Sequence, residues 1–349
     1  MPRRVCVVDL PGLSRNLLGA VPANSALAKW MSAKPVFDLT PSWPAVTCSV
    51  QATLTTGVSP SRHGIIANGI ATYRSHEDQR LTDGSNFASY RRDVSFWEQS
   101  NQFLDAPRFW QDPATRASRW KTAMLFFQHS MPGIVEPLQP AADIVLTPKP
   151  EHGPDGSLTS LCWSEPHDLV DRLFTQIGPF PLMNYWGPLA GIESSKWIAR
   201  AAEFVWREQP SQLQLVYVPH LDYDLQRFGP DSAQAAKAVA DMCAALEPLI
   251  DCVTSQPDAE LVLLSEYSMT QVSQVIHPNR LLADAGLLVT RESPDGTLID
   301  YARSVAFAMA DHQIAHVYIG DTRRMADVKH VLSKDSGLHA VAVPHGIVA

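Results

Sequence analysis

The strongest constraint on this chain is an alternation. Short aliphatic and β-branched runs at residues 5–10, 123–127, 144–146, 213–218, 261–264 and 315–319 recur between stretches of helical pattern at 50–56, 194–208, 232–253 and 325–332. Runs of that length, bounded by turn residues and separated by helices, predict an α/β fold: a mainly parallel sheet with helices on both faces. The first run ends in Asp9-Leu10-Pro11-Gly12, which places a carboxylate where a buried parallel strand gives way to its C-terminal loop. That edge is where such sheets bind ligands. The Ala-rich stretch 232–253 is preceded by Asp231, which reads as its N-cap.

Two stretches break the rhythm. Residues 67–110 are rich in Arg, Ser, Asn and aromatics, and residues 148–188 are rich in Pro and Gly; both read as cap insertions on a single domain spanning 1–349. The 27 prolines among 349 residues exceed the usual share of about 5% and agree with extensive loops and caps. A formal net charge of −8 offers no global positive field for a nucleic-acid polymer or an anionic lipid surface. The five cysteines are odd in number and lack CxxC spacing, which argues against a disulfide framework and a thiolate zinc site and for a reducing compartment. There is no apolar run of about 18 residues, and Asp9 interrupts the first apolar run before it could serve as a signal peptide. The expectation is a cytoplasmic protein with no membrane partner.

The most informative segment is Pro44-Ala-Val-Thr47-Cys-Ser-Val-Gln-Ala-Thr-Leu-Thr-Thr-Gly57, followed by Ser59-Pro-Ser-Arg-His63-Gly64-Ile-Ile-Ala-Asn68-Gly69. Thr47 stands just before a helix that Gly57 would terminate, so its hydroxyl lies beside backbone N–H groups and the positive end of the helix dipole. That setting favours an alkoxide and an anionic ligand. Thr is also a common N-cap, and Asn68-Gly69 is an ordinary turn pair.

Taken with Asp9, this segment resembles the type I phosphodiesterase/nucleotide pyrophosphatase branch of the alkaline phosphatase superfamily. The resemblance implies an alkaline-phosphatase-like three-layer sandwich, with Asp9 as a metal ligand, Thr47 as nucleophile and metal ligand, and Asn68 as the residue that holds the transferred phosphoryl oxygen. His63-Gly64 would be scaffold. Further on, His220-Leu-Asp222-Tyr-Asp224-Leu-Gln226 before Gly229-Pro230 is similar to the family's Asp-x-x-x-His segment, with Asp222 as the metal-binding carboxylate and Gln226 where the family has histidine. Ser265-Glu266-Tyr267-Ser268-Met269 falls where the family carries Ser-Asp-His-Gly-Met. Glu266 keeps the carboxylate and Tyr267 replaces the histidine. Each position loses a nitrogen donor, and oxygen-rich ligation suits Mg²⁺, Mn²⁺ or Ca²⁺ better than Zn²⁺. A phenol of ordinary pKa about 10 ligates only where charge lowers that value.

Nitrogen would then come from elsewhere. His220 is one source. His312 and His316 are others, though at strand spacing they stand about 13 Å apart and cannot share one ion. His312 is taken as the ligand. The family's final metal-binding histidine lies beyond the reach of this sequence, where His339 and His345 are the late candidates.

The resemblance thus implies two divalent cations (Zn, Mn or Mg), a phosphorylated Thr47 intermediate, and a small phosphorylated substrate whose phosphodiester, pyrophosphate or phosphonate bond is hydrolysed. Trp97, Phe109, Trp110, Tyr185 and Trp186 would line the caps, either stacking a substrate or packing the core. Two other readings remain open: a catalytically weak ligand-binding protein on the same fold, and a phosphomonoesterase of the same superfamily.

Overall fold

The structure, a computed structural model, describes residues 4–71, 94–96, 100–132, 139–152, 158–294, 296–301, 303–335 and 337–338. The chain divides into two compact units, residues 1–66 with 98–272, and residues 67–97 with 273–349.

The first unit is built on a six-stranded sheet. Numbered along the chain, its strands are β1 (Arg4–Asp9), β4 (Thr122–Leu125), β5 (Ile144–His152), β6 (Leu158–Glu165), β7 (Leu213–Tyr217) and β8 (Ala259–Leu264), in the order β6-β5-β4-β7-β1-β8. All neighbours pair in parallel except β6, which runs antiparallel to β5. The sheet is mixed, mostly parallel and flanked by helices, as the alternation predicted. Because β1 lies between β7 and β8, the chain leaves it towards β4 on one side and later reaches β8 on the other, which makes its C-terminal end a switch point. Asp9 ends β1 opposite Tyr217 and Leu264.

Burial explains the helices. In the helix Ile192–Glu208, Trp197, Ile198, Ala201, Ala202, Val205 and Trp206 recur at three- and four-residue spacing and are all buried. Each large apolar side chain so covered contributes about 1.5–3 kcal/mol. Tyr185 is buried with Phe126, Phe180 and Trp197 in one aromatic cluster, and Trp110 is buried with its indole N–H donated to the Ala141 carbonyl. These rings serve as core, while Trp97 lies outside the described residues. All five cysteines are buried and none is in a disulfide.

Three local readings shift. The helix 232–253 is Ala233–Thr254, capped by Ser232 rather than Asp231; the Ser232 backbone is extended and its Oγ accepts from the Ala235 N–H at 3.1 Å. The helix read at 50–56 begins at Thr47. Asp222, read as lying just past a strand, sits in the helix His220–Phe228. Of the two stretches read as caps, 67–110 is divided between the units, with 72–93 and 97–99 outside the described residues. Residues 148–188 carry part of β5, the edge strand β6 and the helix Leu169–Ile177. Among the described residues no helix is long and apolar enough to cross a membrane.

The second unit has its own core of Leu282, Leu287, Leu288, Phe307, Val328 and Leu332. It comprises antiparallel pairs β2 (Gly69–Ala71) with β3 (Val94–Phe96), β9 (Thr290–Ser293) with β10 (Gly296–Ile299), and β11 (Ala306–Asp311) with β12 (Ile314–Ile319), plus the helices Pro278–Asp284 and Met325–Leu332.

A buried cation sits in the first unit. Arg108 is buried and donates to the Asn101 side chain at 2.5 Å and to the His129 carbonyl at 2.6 Å. Burial, with the Arg108 charge adding to it, pushes His129 down to about 4, and its Nδ1–H donates to the Ser100 carbonyl. A folded-state histidine held below its unfolded value near 6.5 contributes stability above that value and loses it as pH falls towards 4. Unfolding in urea should therefore show a loss of about 2 kcal/mol between pH 7 and pH 5 that His129→Phe removes. An equally steep loss in the variant would refute the assignment.

Candidate active site

Asp9, Thr47, Asp222 and Glu266 come together at the C-terminal edge of the first unit's sheet. Two turns are tied there: the Leu10 N–H donates to the Leu264 carbonyl at 2.9 Å, and the Gly12 N–H to the Tyr267 carbonyl at 3.2 Å. Gly12 has φ +86°, and a Cβ on it would lie 2.6 Å from Leu225 Cδ1, so glycine lets the β1 turn press against the helix that carries Asp222.

Thr47 is the first residue of the helix Thr47–Thr56, and Gly57 ends that helix in the left-handed conformation at φ 72°. The N-cap is Val46, which supplies no side-chain acceptor. Thr47 is therefore not the cap, and its hydroxyl is directed to other partners at the positive end of the helix. Its Oγ1 lies 3.3 Å from the Tyr267 hydroxyl, which donates to Asp222 Oδ1 at 3.0 Å. A carboxylate only accepts and a phenol has one proton, so the Tyr267 oxygen accepts from Thr47. Burial, then the charges of Asp222 and Glu266, push the Tyr267 phenol well above its usual range, so it stays neutral. The other Asp222 oxygen accepts from Gln226 Nε2 at 2.6 Å, one helical turn on.

Asp9 and Glu266 are both fully buried. Burial and then the neighbouring Glu266 charge push Asp9 well above the usual carboxylate range, and burial pushes Glu266 up to about 7. Gln51, one turn beyond Thr47 and also buried, spans the pair: its Nε2 donates to Glu266 Oε1 at 2.7 Å and reaches Asp9 Oδ2 at 3.5 Å. Asp9 Oδ1 and Glu266 Oε2 are buried with no hydrogen-bond partner.

The remaining candidates have other partners. His63 is buried scaffold, its Nδ1 accepting from the Ile65 N–H at 3.1 Å while Nε2 pairs with Thr53 Oγ1 at 3.0 Å. His220 is buried, and the charges acting on it are Asp224, Asp241, Lys237 and Arg227, so its ring does not join Asp222. Asn68 and His312 belong to the second unit and meet at Asp311. The Asn68 N–H and Nδ2 donate to its two carboxylate oxygens at 2.7 and 3.1 Å, and His312 Nε2 lies 3.7 Å from Oδ1. His316 lies in β12 opposite Met309. His339 and His345 lie outside the described residues. Gln51 is the residue that sequence reasoning passed over; its spacing of four from Thr47 puts both on one helix face, a signal present in the sequence.

Residues 5–345 match the sequence profile of the type I phosphodiesterase / nucleotide pyrophosphatase family. The chain belongs to that family. Its members are hydrolytic enzymes and are metal-dependent. A search of curated protein sequences finds no match. Among solved structures, an inactive variant of murine ectonucleotide pyrophosphatase/phosphodiesterase 5 in complex with AMP superimposes with a TM-score of 0.58 at 16% identity, covering 97% of this chain and 70% of that one. Phosphonoacetate hydrolase from Sinorhizobium meliloti, in complex with phosphonoacetate, gives a TM-score of 0.55 at 15% identity, covering 94% of this chain and 73% of that one. Both share the alkaline-phosphatase-like fold.

The side chains fit the family's metal requirement unevenly. Two partnerless carboxylate oxygens beside a threonine hydroxyl are the donor chemistry of one hard cation. Both Asp222 oxygens are occupied by donors, Tyr267 and Gln226. Among the described residues no group of three or more His, Cys, Asp or Glu side chains is arranged to hold a metal ion. Since burial is the largest cause acting on both acids, Glu266→Gln should stabilise the protein in EDTA by on the order of 2 kcal/mol in urea denaturation. Unchanged or lower stability would contradict that account.

Proposed function

We propose that this chain hydrolyses a phosphodiester, pyrophosphate or phosphonate bond of a small molecule by way of a covalent phosphothreonine on Thr47. The observation that carries the reading is the position of Thr47: first residue of an uncapped helix, hydrogen-bonded to Tyr267, beside two buried carboxyl groups with partnerless oxygens. A threonine hydroxyl is too weak an acid to attack phosphorus unaided near neutral pH.

The residues divide the work. Asp9 and Glu266, with the Thr47 oxygen, would hold a divalent cation, which when bound supplies positive charge that lowers the Thr47 pKa and screens the acids from an anionic substrate. The helix terminus at Thr47 favours the negative charge of the transferred group. Tyr267, fixed by Asp222 and Gln226, orients the Thr47 hydroxyl. The reading supports one cation position at these side chains, where the resemblance implied two. Asn68 as a phosphoryl-oxygen donor and His312 as a ligand remain part of the proposal. The AMP and phosphonoacetate bound by the two solved structures suggest the substrate class, a small phosphorylated or phosphonate compound.

A cation is also what separates an enzyme from a passive binder here. Without added positive charge, the Asp222 carboxylate and the acid pair would repel a phosphoryl group at short range. Hydrolysis of an aryl phosphodiester in Mn²⁺ or Mg²⁺ should fall by about 10³-fold or more in Thr47→Ala, and acid quench should trap the phosphoryl group, with its remaining ester, on the wild-type threonine. Full activity in the variant would overturn the reading, and preference for an aryl monoester would move it to a phosphomonoesterase.

A further inference from the structure

The buried amide of Gln51 has no role in the chemistry described so far, yet it touches both acids of the pair. Its orientation is decided by a third contact: the Gln128 backbone N–H donates to Gln51 Oε1 at 2.8 Å. A backbone N–H can only donate, so the oxygen end of the amide is fixed and the NH₂ end must point at the carboxyl groups. The loop that supplies this N–H is itself held in an unusual conformation. Phe126 and His129 have φ of 63° and 51°, and the buried Arg108 donates to the His129 carbonyl. Backbone of that kind, held by a buried cation, places the Gln128 N–H at one spot.

The NH₂ group takes one oxygen from each acid, Glu266 Oε1 and Asp9 Oδ2. The oxygens left over are Asp9 Oδ1 and Glu266 Oε2, the two without partners. The amide thus acts as a neutral clamp: it bridges the two acids on one side and leaves a matched pair of oxygens on the other. We propose that Gln51 is a positioning residue that pre-organises Asp9 and Glu266 for a divalent cation and thereby sets the cation affinity of the site. The inference rests on the reading that Asp9 and Glu266 hold a cation. Residues that orient metal-ligating carboxylates by hydrogen bonding commonly change affinity by about 10–100-fold when removed.

The experiment is calorimetric titration of the full chain with Mn²⁺, with thermal unfolding in EDTA run beside it, on wild type, Gln51→Met and Gln51→Glu. Met keeps the length of the side chain and cannot donate, so Mn²⁺ binding should weaken at least ~10-fold. Glu still accepts from the Gln128 N–H but places a third carboxylate against the pair; its unfolding temperature in EDTA should fall, Mn²⁺ should restore it, and Mn²⁺ should bind at least ~10-fold tighter than to wild type. If both variants bind Mn²⁺ with wild-type affinity and differ only in unfolding temperature, Gln51 is a packing residue and the proposal is overturned. Should Met fail to fold, the Glu variant decides alone: unchanged affinity there is sufficient to overturn it. A wild-type chain that takes up no Mn²⁺ removes the cation reading itself, and this proposal with it, a failure visible before any variant is compared.

Discussion

Two carboxyl groups buried side by side at the end of a parallel sheet set the terms for everything around them. Asp9 and Glu266 have no water to dissolve their charge, and the Glu266 charge makes Asp9 harder still to ionise. Such a pair persists only if its surroundings return some of that cost, through donors, a shared proton or a cation. The surroundings do so by geometry. The β1 and β8 turns are tied by backbone hydrogen bonds, a glycine lets a helix approach, and a glutamine amide reaches both acids.

The same constraint explains how the site departs from its family. Where the resemblance leads one to expect imidazole nitrogens, this chain has Tyr267 and Gln226, and both donate to Asp222. A phenol and an amide that spend their protons on a carboxylate stabilise it as hydrogen-bond donors. The result is an asymmetric centre, one half saturated by donors around Asp222 and one half, at Asp9 and Glu266, with oxygens unclaimed. Thr47 lies between the halves, its hydroxyl bonded to the first and acting on the charge of the second.

Much of this was legible in the sequence. Short aliphatic runs marked six strands and helical patterning marked four helices, because strands buried on both faces read as continuous apolar runs and covered helices as a recurring stripe. Asp9 and Thr47 stand at a strand end and a helix start, where a parallel sheet gathers ligands, while Asp222 and Glu266 were singled out by the resemblance of their segments to the family's. What escaped notice was of a different kind. Only the start of β5 was read; its remainder and all of β6 were hidden by prolines, so the stretch from 148 looked like an insertion. The Asp231 and Ser232 capping choice turned on backbone dihedrals, which two adjacent good caps do not reveal. Gln51 looked like an ordinary helix residue because its partners are a strand end, a distant turn and one peptide N–H.

The sequence by itself determined the class of fold, the family and the acidic, nitrogen-poor character of the site, since these follow from local patterning and from the identity of residues at element ends. Only the tertiary structure decided which groups touch: that Tyr267 accepts from Thr47, that Asp222 is saturated, that His220 turns away, and that Gln51 spans Asp9 and Glu266. Hydrogen-bond direction and desolvation depend on distances between elements far apart in the chain, and no residue pattern carries those distances.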